Sequence, residues 1–351
     1  MFRNAILLLL FSGQQGLAVE SLVPGATMPA QPYWTTGASI SSGDDLFVVI
    51  EGATHPVVAL LKVSGGRFAD PIPLPVPEDF QYFGNTAAAS MNGFVFAGMD
   101  PRGSAVVYET DKRASAIANV GRFPGFVSVS VFALDGELWV TGQTAQKSPF
   151  VSRLNRKLEF EDIIVLPQTG DAVAKQIGKY RGSYFVLTQE MGPVDQTFIW
   201  KLTDAHTAGS KRRISGRGAT FALAADGIFV SYHRDTVPTV DMLSYELKPL
   251  WSTLVVQPVG TGELTSIMTT DTAVIVVGGN NGRTYEARLS HAGKLLQLLY
   301  DDKSKLQNSD HGYILGVANN SLSMVGSFLD SSFDKIPANT IFVYTSALNS
   351  P

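Results

Sequence analysis

Histidine stands beside charged residues at two places in this chain of 351 residues, His233-Arg234-Asp235 and Asp310-His311. An imidazole can give or take a proton near neutral pH, and a guanidinium can hold an anionic group. His233 or His311 as acid or base, with Arg234 or Arg102 as anion anchor, would suit hydrolysis or elimination on a carbohydrate. The other three histidines, His55, His206 and His291, are widely spaced, and none of the five forms a metal-ligand pair. No G-x-S-x-G elbow, H-E-x-x-H helix or phosphate-cradling glycine loop occurs. Cysteine is absent, which removes disulfides, thiolate metal sites and thiolate nucleophiles together. No catalytic set, metal or cofactor is expected from these residues. A binding module is the leading reading, with an enzyme kept as the alternative.

The elements that must carry these residues repeat at near-constant spacing. The apolar strand cores are Leu46 to Ile50, Phe94 to Gly98, Leu138 to Gly142, Tyr184 to Thr188, Ile228 to Tyr232, Val274 to Gly278 and Leu322 to Gly326. Successive cores are 48, 44, 46, 44, 46 and 48 residues apart, a period of the size that four-stranded propeller blades show. The expected fold is all-β, a seven-bladed β-propeller of four-stranded antiparallel blades, with blades near 34–76, 82–121, 126–167, 172–216, 219–259, 264–303 and 311–346. In the third repeat, Phe126 to Leu134 reads as strand one. Asp135-Gly136 is its tight hairpin turn, and Glu137 to Gly142 is the returning strand. Asn92-Gly93 and Asp226-Gly227 signal the same turn in the second and fifth repeats. The last repeat runs out of chain before a fourth strand. The segment 19–30 is therefore expected to close the ring by pairing with Ile341 to Thr345, because an open ring would expose two sheet edges.

Composition narrows the setting. Charged residues are 17% of the chain against a usual figure of about 25%, and glycine numbers 33, both suited to tightly turned sheets. One domain is expected, since each propeller blade adds its own inter-sheet core. Arg3, the apolar run from Ala5 to Phe11 and the small residues Gly16 and Ala18 read as an export signal cleaved after Ala18. No apolar run approaches the roughly 20 residues of a membrane span. The net charge of −4 argues against nucleic acid, which needs a concentrated basic surface. Export without cysteine favours a periplasmic, secreted or otherwise extracellular protein, most comfortably a bacterial one.

Two stretches, Leu138 to Leu154 and Val274 to Leu289, resemble the bacterial and Kelch-like propeller repeats, in which a strand ends in glycine and returns through a polar loop. Gly278-Gly279 is similar to the Kelch double glycine, and the other blades lack it. That resemblance implies the propeller fold and a choice among binder, scaffold and enzyme. The tryptophan-docking motif of quinone-dependent propeller dehydrogenases is missing, since only Trp34, Trp139, Trp200 and Trp251 occur. The string Leu166 to Gly170 spells a cell-wall sorting signal, yet it lies mid-chain without the apolar tail such a signal uses. Lys211-Arg212-Arg213 with Arg217 reads as solvated surface on an outer strand.

Propellers usually bind where the loops between strands two and three meet the connections between blades. In this chain that face is expected to carry Asp100, Arg102, Arg122, His233, Arg234, Asp235, Asn280, Arg283, Asp310 and His311. Tyr82, Phe83, Phe123 and Phe126 lie near enough to stack on a sugar or a peptide. The expected partner is a protein or a glycan. Trp139 is expected to be buried between sheets.

Overall fold

The computed structural model describes residues 20–21, 24–29, 35–42, 45–51, 58–64, 67–77, 80–168, 170–192, 196–203, 207–234, 237–255, 262–280, 283–300, 313–318, 321–330 and 338–347. Among these residues no helix is long and apolar enough to cross a membrane. Six sheets are each built from consecutive strands. The first contains Thr35–Ser42, Asp45–Glu51 and Val58–Ser64, and its outer strand is split into Arg67–Phe68 and Ile72–Pro73. The second contains Gln81–Ala89, Phe94–Met99, Ala105–Thr110 and Ile117–Phe123. The third contains Phe126–Leu134, Glu137–Thr144, Pro149–Leu154 and Phe160–Val165. The fourth contains Asp171–Tyr180, Ser183–Met191, Gln196–Thr203 and Thr207–Ile214. The fifth contains Arg217–Ala224, Gly227–Arg234, Val237–Leu243 and Pro249–Leu254. The sixth contains Gly262–Thr269, Ala273–Asn280, Arg283–Ser290 and Leu295–Tyr300.

A further sheet is composite. Tyr313–Ala318, Ser321–Asp330 and Ala338–Ala347 receive their fourth strand from the start of the chain, Pro24–Pro29, with Thr27 opposite Phe342 and Met28 opposite Ile341. First strands of neighbouring sheets pack together in chain order. Tyr313–Ala318 packs on both Gly262–Thr269 and Thr35–Ser42, which closes the ring. The fold is an all-β propeller. The segment ahead of the closing strand adds an unforeseen contact, because Glu20–Ser21 pairs in parallel with Leu299 and Tyr300 on the outer strand of the sixth blade.

Alternate residues on each strand face opposite neighbours, so each pair of sheets encloses its own core. Between the third and fourth blades, Trp139, Val151, Ile164, Val186 and Trp200 pack together. Trp139 is 4% exposed and its ring lies 4.6 Å from that of Tyr184. In each of the six consecutive sheets the register of the first strand against the second shifts once, at positions such as Phe126/Ser128 and Ala174/Gln176. Gln176 beside its bulge then bridges two blades: its amide donates to Phe221 O at 2.8 Å, and its carbonyl accepts from Phe221 N at 3.0 Å.

The hairpin turns follow two patterns. Asp135 and Gly136 take φ of 51° and 79°, the left-handed pair expected of a tight turn. In the fifth blade, however, Gly227 pairs with Ala224, so the turn is Ala225-Asp226 and the glycine already belongs to the strand. Its small size answers a different need, since a Cβ there would lie 2.5 Å from Leu243 O. The second blade is alike, with Ser90 N donating to Gly93 O across Met91-Asn92.

A five-residue turn, lengthened to six in the second blade, recurs between strands three and four. Ala114, Leu158, Leu247 and Gly293 each sit at positive φ, and each donates its N–H to the carbonyl three residues earlier, on Asp111, Asn155, Ser244 and Ser290. The side-chain oxygen of that earlier residue accepts further backbone N–H groups, as Asn155 does from Lys157 and Glu159. The preceding blade clips onto the same turn. Asn119 donates to Arg156 O at 3.0 Å, Arg212 to Leu247 O at 3.3 Å and Trp251 to His291 O at 2.9 Å.

Candidate functional site

In an antiparallel four-strand sheet, the loops between strands two and three and the connections between blades leave from the same end. Asp100 begins such a loop in the second blade and uses the five-residue turn just described. Asp100 N donates to Ser104 O, and Gly103 N donates to Asp100 O, both at 2.9 Å, with Gly103 at φ 75°. Asp100 Oδ1 accepts from Arg102 N at 2.9 Å and from Ser104 N at 3.0 Å. Its Oδ2 faces Arg122 at 3.6 Å. The carboxylate is thus occupied in building its own loop. The Arg102 side chain is exposed, and so is that of Arg122, at 61%.

The third blade repeats this construction one period later. Thr144 N donates to Ser148 O, and Lys147, at φ 65°, donates to Thr144 O, both at 2.9 Å. Ala145 N reaches back to Gly125 O at 2.8 Å, and Ala172 N reaches Lys147 O at 3.0 Å, which ties the loop to the connections on both sides. Lys147 Nζ lies 2.7 Å from Asp171 Oδ2, and Gln143 donates to Asp171 Oδ1 at 2.6 Å. The Lys147 hydrogen bond, then that of Gln143, holds the Asp171 carboxyl below the ordinary aspartate value of 3.8. Lys147 and Gln143, which hold Asp171 in this site element, are absent from the sequence-based set. The spacing of 44 residues from Asp100 to Thr144 is the signal that would have found them.

The remaining sequence candidates distribute as follows. Arg122, His233 and Arg234 are strand residues and not loop residues, because the hairpins are shorter than the polar runs suggest: Arg122 pairs with Val106, His233 with Pro238 and Arg234 with Val237. Asn280 and Arg283 likewise pair with each other at strand ends. His233 and Arg234, as neighbours in a strand, point to opposite faces of the sheet, so they do not converge on one substrate. Arg234 instead joins Tyr232 and Asp241: its guanidinium donates to the Tyr232 hydroxyl and lies 3.7 Å from Asp241 Oδ1. Tyr232 donates to Asp241 Oδ2 at 2.9 Å, and burial, then the Asp241 charge, pushes its phenol up. Asp235, Asp310 and His311 lie outside the described residues, as does the segment 1–18 read above as an export signal.

Two of the four aromatic candidates are also reassigned, whereas the side chains of Tyr82 and Phe83 lie outside those described. Phe123 is 5% exposed and stacks on Phe160 with ring centroids 4.0 Å apart, and Phe126 packs against Phe150 and Phe160. Both serve the core between the second and third blades, where a planar ring buries the most apolar area. Among the described residues, no three His, Asp or Glu side chains gather in a way that could hold a metal ion.

No family model matches the chain, and no curated protein matches it. Solved structures do. The β-propeller domain of Cps50 (Swd1) from Myceliophteria thermophila aligns over 93% of this chain and 100% of its own, with TM-score 0.59 and 12% identity. A chain of the complex of BBS1N with ARL6DN aligns over 93% and 97%, with TM-score 0.55 and 10% identity. A chain of Drosophila Plexin A in complex with Semaphorin 1b aligns over 93% and 88%, with TM-score 0.54 and 10% identity. At such identities the likeness is one of fold, and the fold it shows is the β-propeller.

Proposed function

We propose that this chain is an exported, non-enzymatic scaffold that docks a protein partner on the face carrying the strand-two-to-three loops. The observation that carries this reading is the state of the acidic groups there. Asp100 and Asp171 are each engaged by N–H groups and a cation, which makes a rigid, pre-organised surface. Rigid loops on a closed ring bind with little ordering cost. Two of the structures similar in fold are of complexes with protein partners, BBS1N with ARL6DN and Plexin A with Semaphorin 1b, and this accords with the reading. A glycan has less support, since two of the four aromatic candidates, Phe123 and Phe126, pack against the rings of the core between the second and third blades. Export to a periplasm or cell exterior rests on the apolar run from Ala5 to Phe11 and on the absence of cysteine.

A photo-crosslinking residue at exposed Gln146 on the loop face, compared with one at exposed Lys157 on the opposite turns, tests this reading in the extracytoplasmic fraction. A discrete crosslinked partner from Gln146 alone is expected. Crosslinks from Lys157 alone, or from neither, would refute it.

A further inference from the structure

The hairpins between strands one and two of two blades each carry an aspartate that meets a basic side chain of the blade that follows. In the third blade, Asp135 Oδ2 lies 2.9 Å from Lys179 Nζ, on the first strand of the fourth. In the fifth, Asp226 Oδ2 lies 3.0 Å from His291 Nδ1, in the five-residue turn of the sixth. The lysine keeps its charge at every ordinary pH, because the Asp135 hydrogen bond holds its ammonium above the usual value of 10.5. The histidine differs in that its second nitrogen is also committed: Nε2 lies 2.9 Å from Thr270 O, on the hairpin of the sixth blade. A carboxylate and a peptide carbonyl are both acceptors. Both bonds therefore exist together only when both ring nitrogens carry hydrogen, which is the imidazolium. A neutral ring donates from one nitrogen and turns the lone pair of the other toward an oxygen.

The surroundings hold the ring in this position. It is 21% exposed, its centroid lies 5.2 Å from that of Phe229, and Trp251 and Thr253 of the fifth blade donate to His291 O and Gly293 O. The other charged and titratable groups on the elements that meet here are engaged or exposed. Asp271 in the Thr270 hairpin, Lys294 at the end of the His291 turn, and Glu246 and Lys248 in the neighbouring turn are exposed. Burial, then Tyr180, pushes the Tyr245 phenol up, and the Asp226 charge adds to this, so that group stays neutral. Arg181, on the fourth-blade hairpin that Tyr180 ties to Ala225 O, lies over the Tyr180 ring. On strand three of the sixth blade, Arg288 and Glu286 are buried and paired at 2.7 Å. Strand four of the fifth blade brings no titratable group, and the charged residues of its strand two sit at the end away from the hairpin.

We infer that Asp226, His291 and Thr270 O form a pH-governed latch between the fifth and sixth blades, closed while His291 is doubly protonated and loosened as pH rises. With the latch closed, the folded chain keeps a proton that the unfolded chain releases. Its contribution to stability is therefore present at low pH and lost as pH rises. The bridge from Asp135 to Lys179 is the fixed counterpart at another seam of the same ring.

Urea unfolding at about pH 5.5 and about pH 8.5, on either side of the range in which imidazoles titrate, tests the inference. Asp226→Asn should lower the folding equilibrium constant roughly two- to fivefold at the lower pH. At the higher pH the loss should vanish or reverse, because the new amide can donate to a bare Nδ1 while Nε2–H keeps Thr270 O. The advantage of wild type over His291→Gln should shrink over the same interval. Asp135→Asn should lose the same factor at both pH values, and Asp271→Asn should keep the wild-type profile. The amide in Asp226→Asn preserves the shape of the side chain, which guards against misfolding. An Asp226→Asn effect equal at both pH values overturns the inference, as does a wild-type advantage over His291→Gln that grows with pH. An Asp135→Asn loss that fades with pH in the same way, or a profile abolished in Asp271→Asn, overturns it too.

Discussion

Leu158 is the residue at which the recurring turn is most open to test. It sits at φ 58° in the Asn155 to Glu159 turn, 1% exposed, among Val107, Phe123 and Val140 between the second and third blades. A non-glycine residue in the left-handed region costs roughly 1–2 kcal/mol, and only the burial of its side chain offsets that. Leu158→Ala removes the side chain and keeps the strain, so a loss of about 2–5 kcal/mol is expected. Leu158→Gly removes the strain as well, against roughly 0.5–1 kcal/mol of extra freedom in the unfolded chain. The glycine variant should therefore equal the alanine variant or exceed it by up to about 1 kcal/mol. At an ordinary strand position such as Val151, the order should reverse. The sixth blade already carries this exchange: Gly293 sits at φ 82°, and the Trp251 ring fills the place where its Cβ would be. Urea denaturation midpoints of the four variants provide the comparison. A Leu158→Gly protein clearly less stable than Leu158→Ala would refute the left-handed turn and the account of blade-to-blade clipping built on it.

Further expectations concern the core, the loop face and the ring. Trp139→Ala should lose roughly 3–5 kcal/mol by denaturant titration, and a loss under about 1 would contradict its place between two sheets. Asp100→Ala should lose about 1–2 kcal/mol and Asp100→Asn less, because the amide oxygen can still accept from Arg102 N and Ser104 N; equal losses would mean that charge, and not acceptance, builds the loop. The Asp171 carboxyl should titrate below 3.8 by NMR and move up in Lys147→Ala. Its folded value is depressed, so its contribution to stability is present above the unfolded value and is lost as pH falls through the folded one; an unmoved midpoint in Lys147→Ala would remove Lys147 as the cause. Deleting residues 24 to 29 should lower the melting temperature of the whole domain, and an intact melt would separate ring closure from stability.

The propeller was legible because burial imposes a period of two within strands and the repeat imposes one near 46 between them, and residues such as Phe185 and Phe229 obey both. The closing strand was legible from arithmetic, since the last repeat lacked a partner. The placement of the candidate residues was legible in part. Asp100, Arg102 and Arg122 do come together, but the polar run His233-Arg234-Asp235 resembled a loop while its first two residues complete a strand. Polarity alone cannot distinguish a solvent-facing strand end from a turn. The five-residue turn escaped notice because its left-handed position is filled by Ala114, Leu158, Leu247, Gly103 and Lys147 alike, so no residue type flags it. Phe123 and Phe126 misled for a related reason: an aromatic ring near a loop is as often the lid of the core beneath as a platform for a ligand.

The composite sheet also sets a timetable. Pro24–Pro29 is made well before its partner Ala338–Ala347, so the two meet only after the six consecutive sheets between them exist. The six consecutive sheets consist of neighbouring hairpins and can form as they emerge, but the first and the sixth each keep a flank uncovered until the composite sheet joins them. Such an order delays the step that locks the ring until the partner of the closing strand has been made.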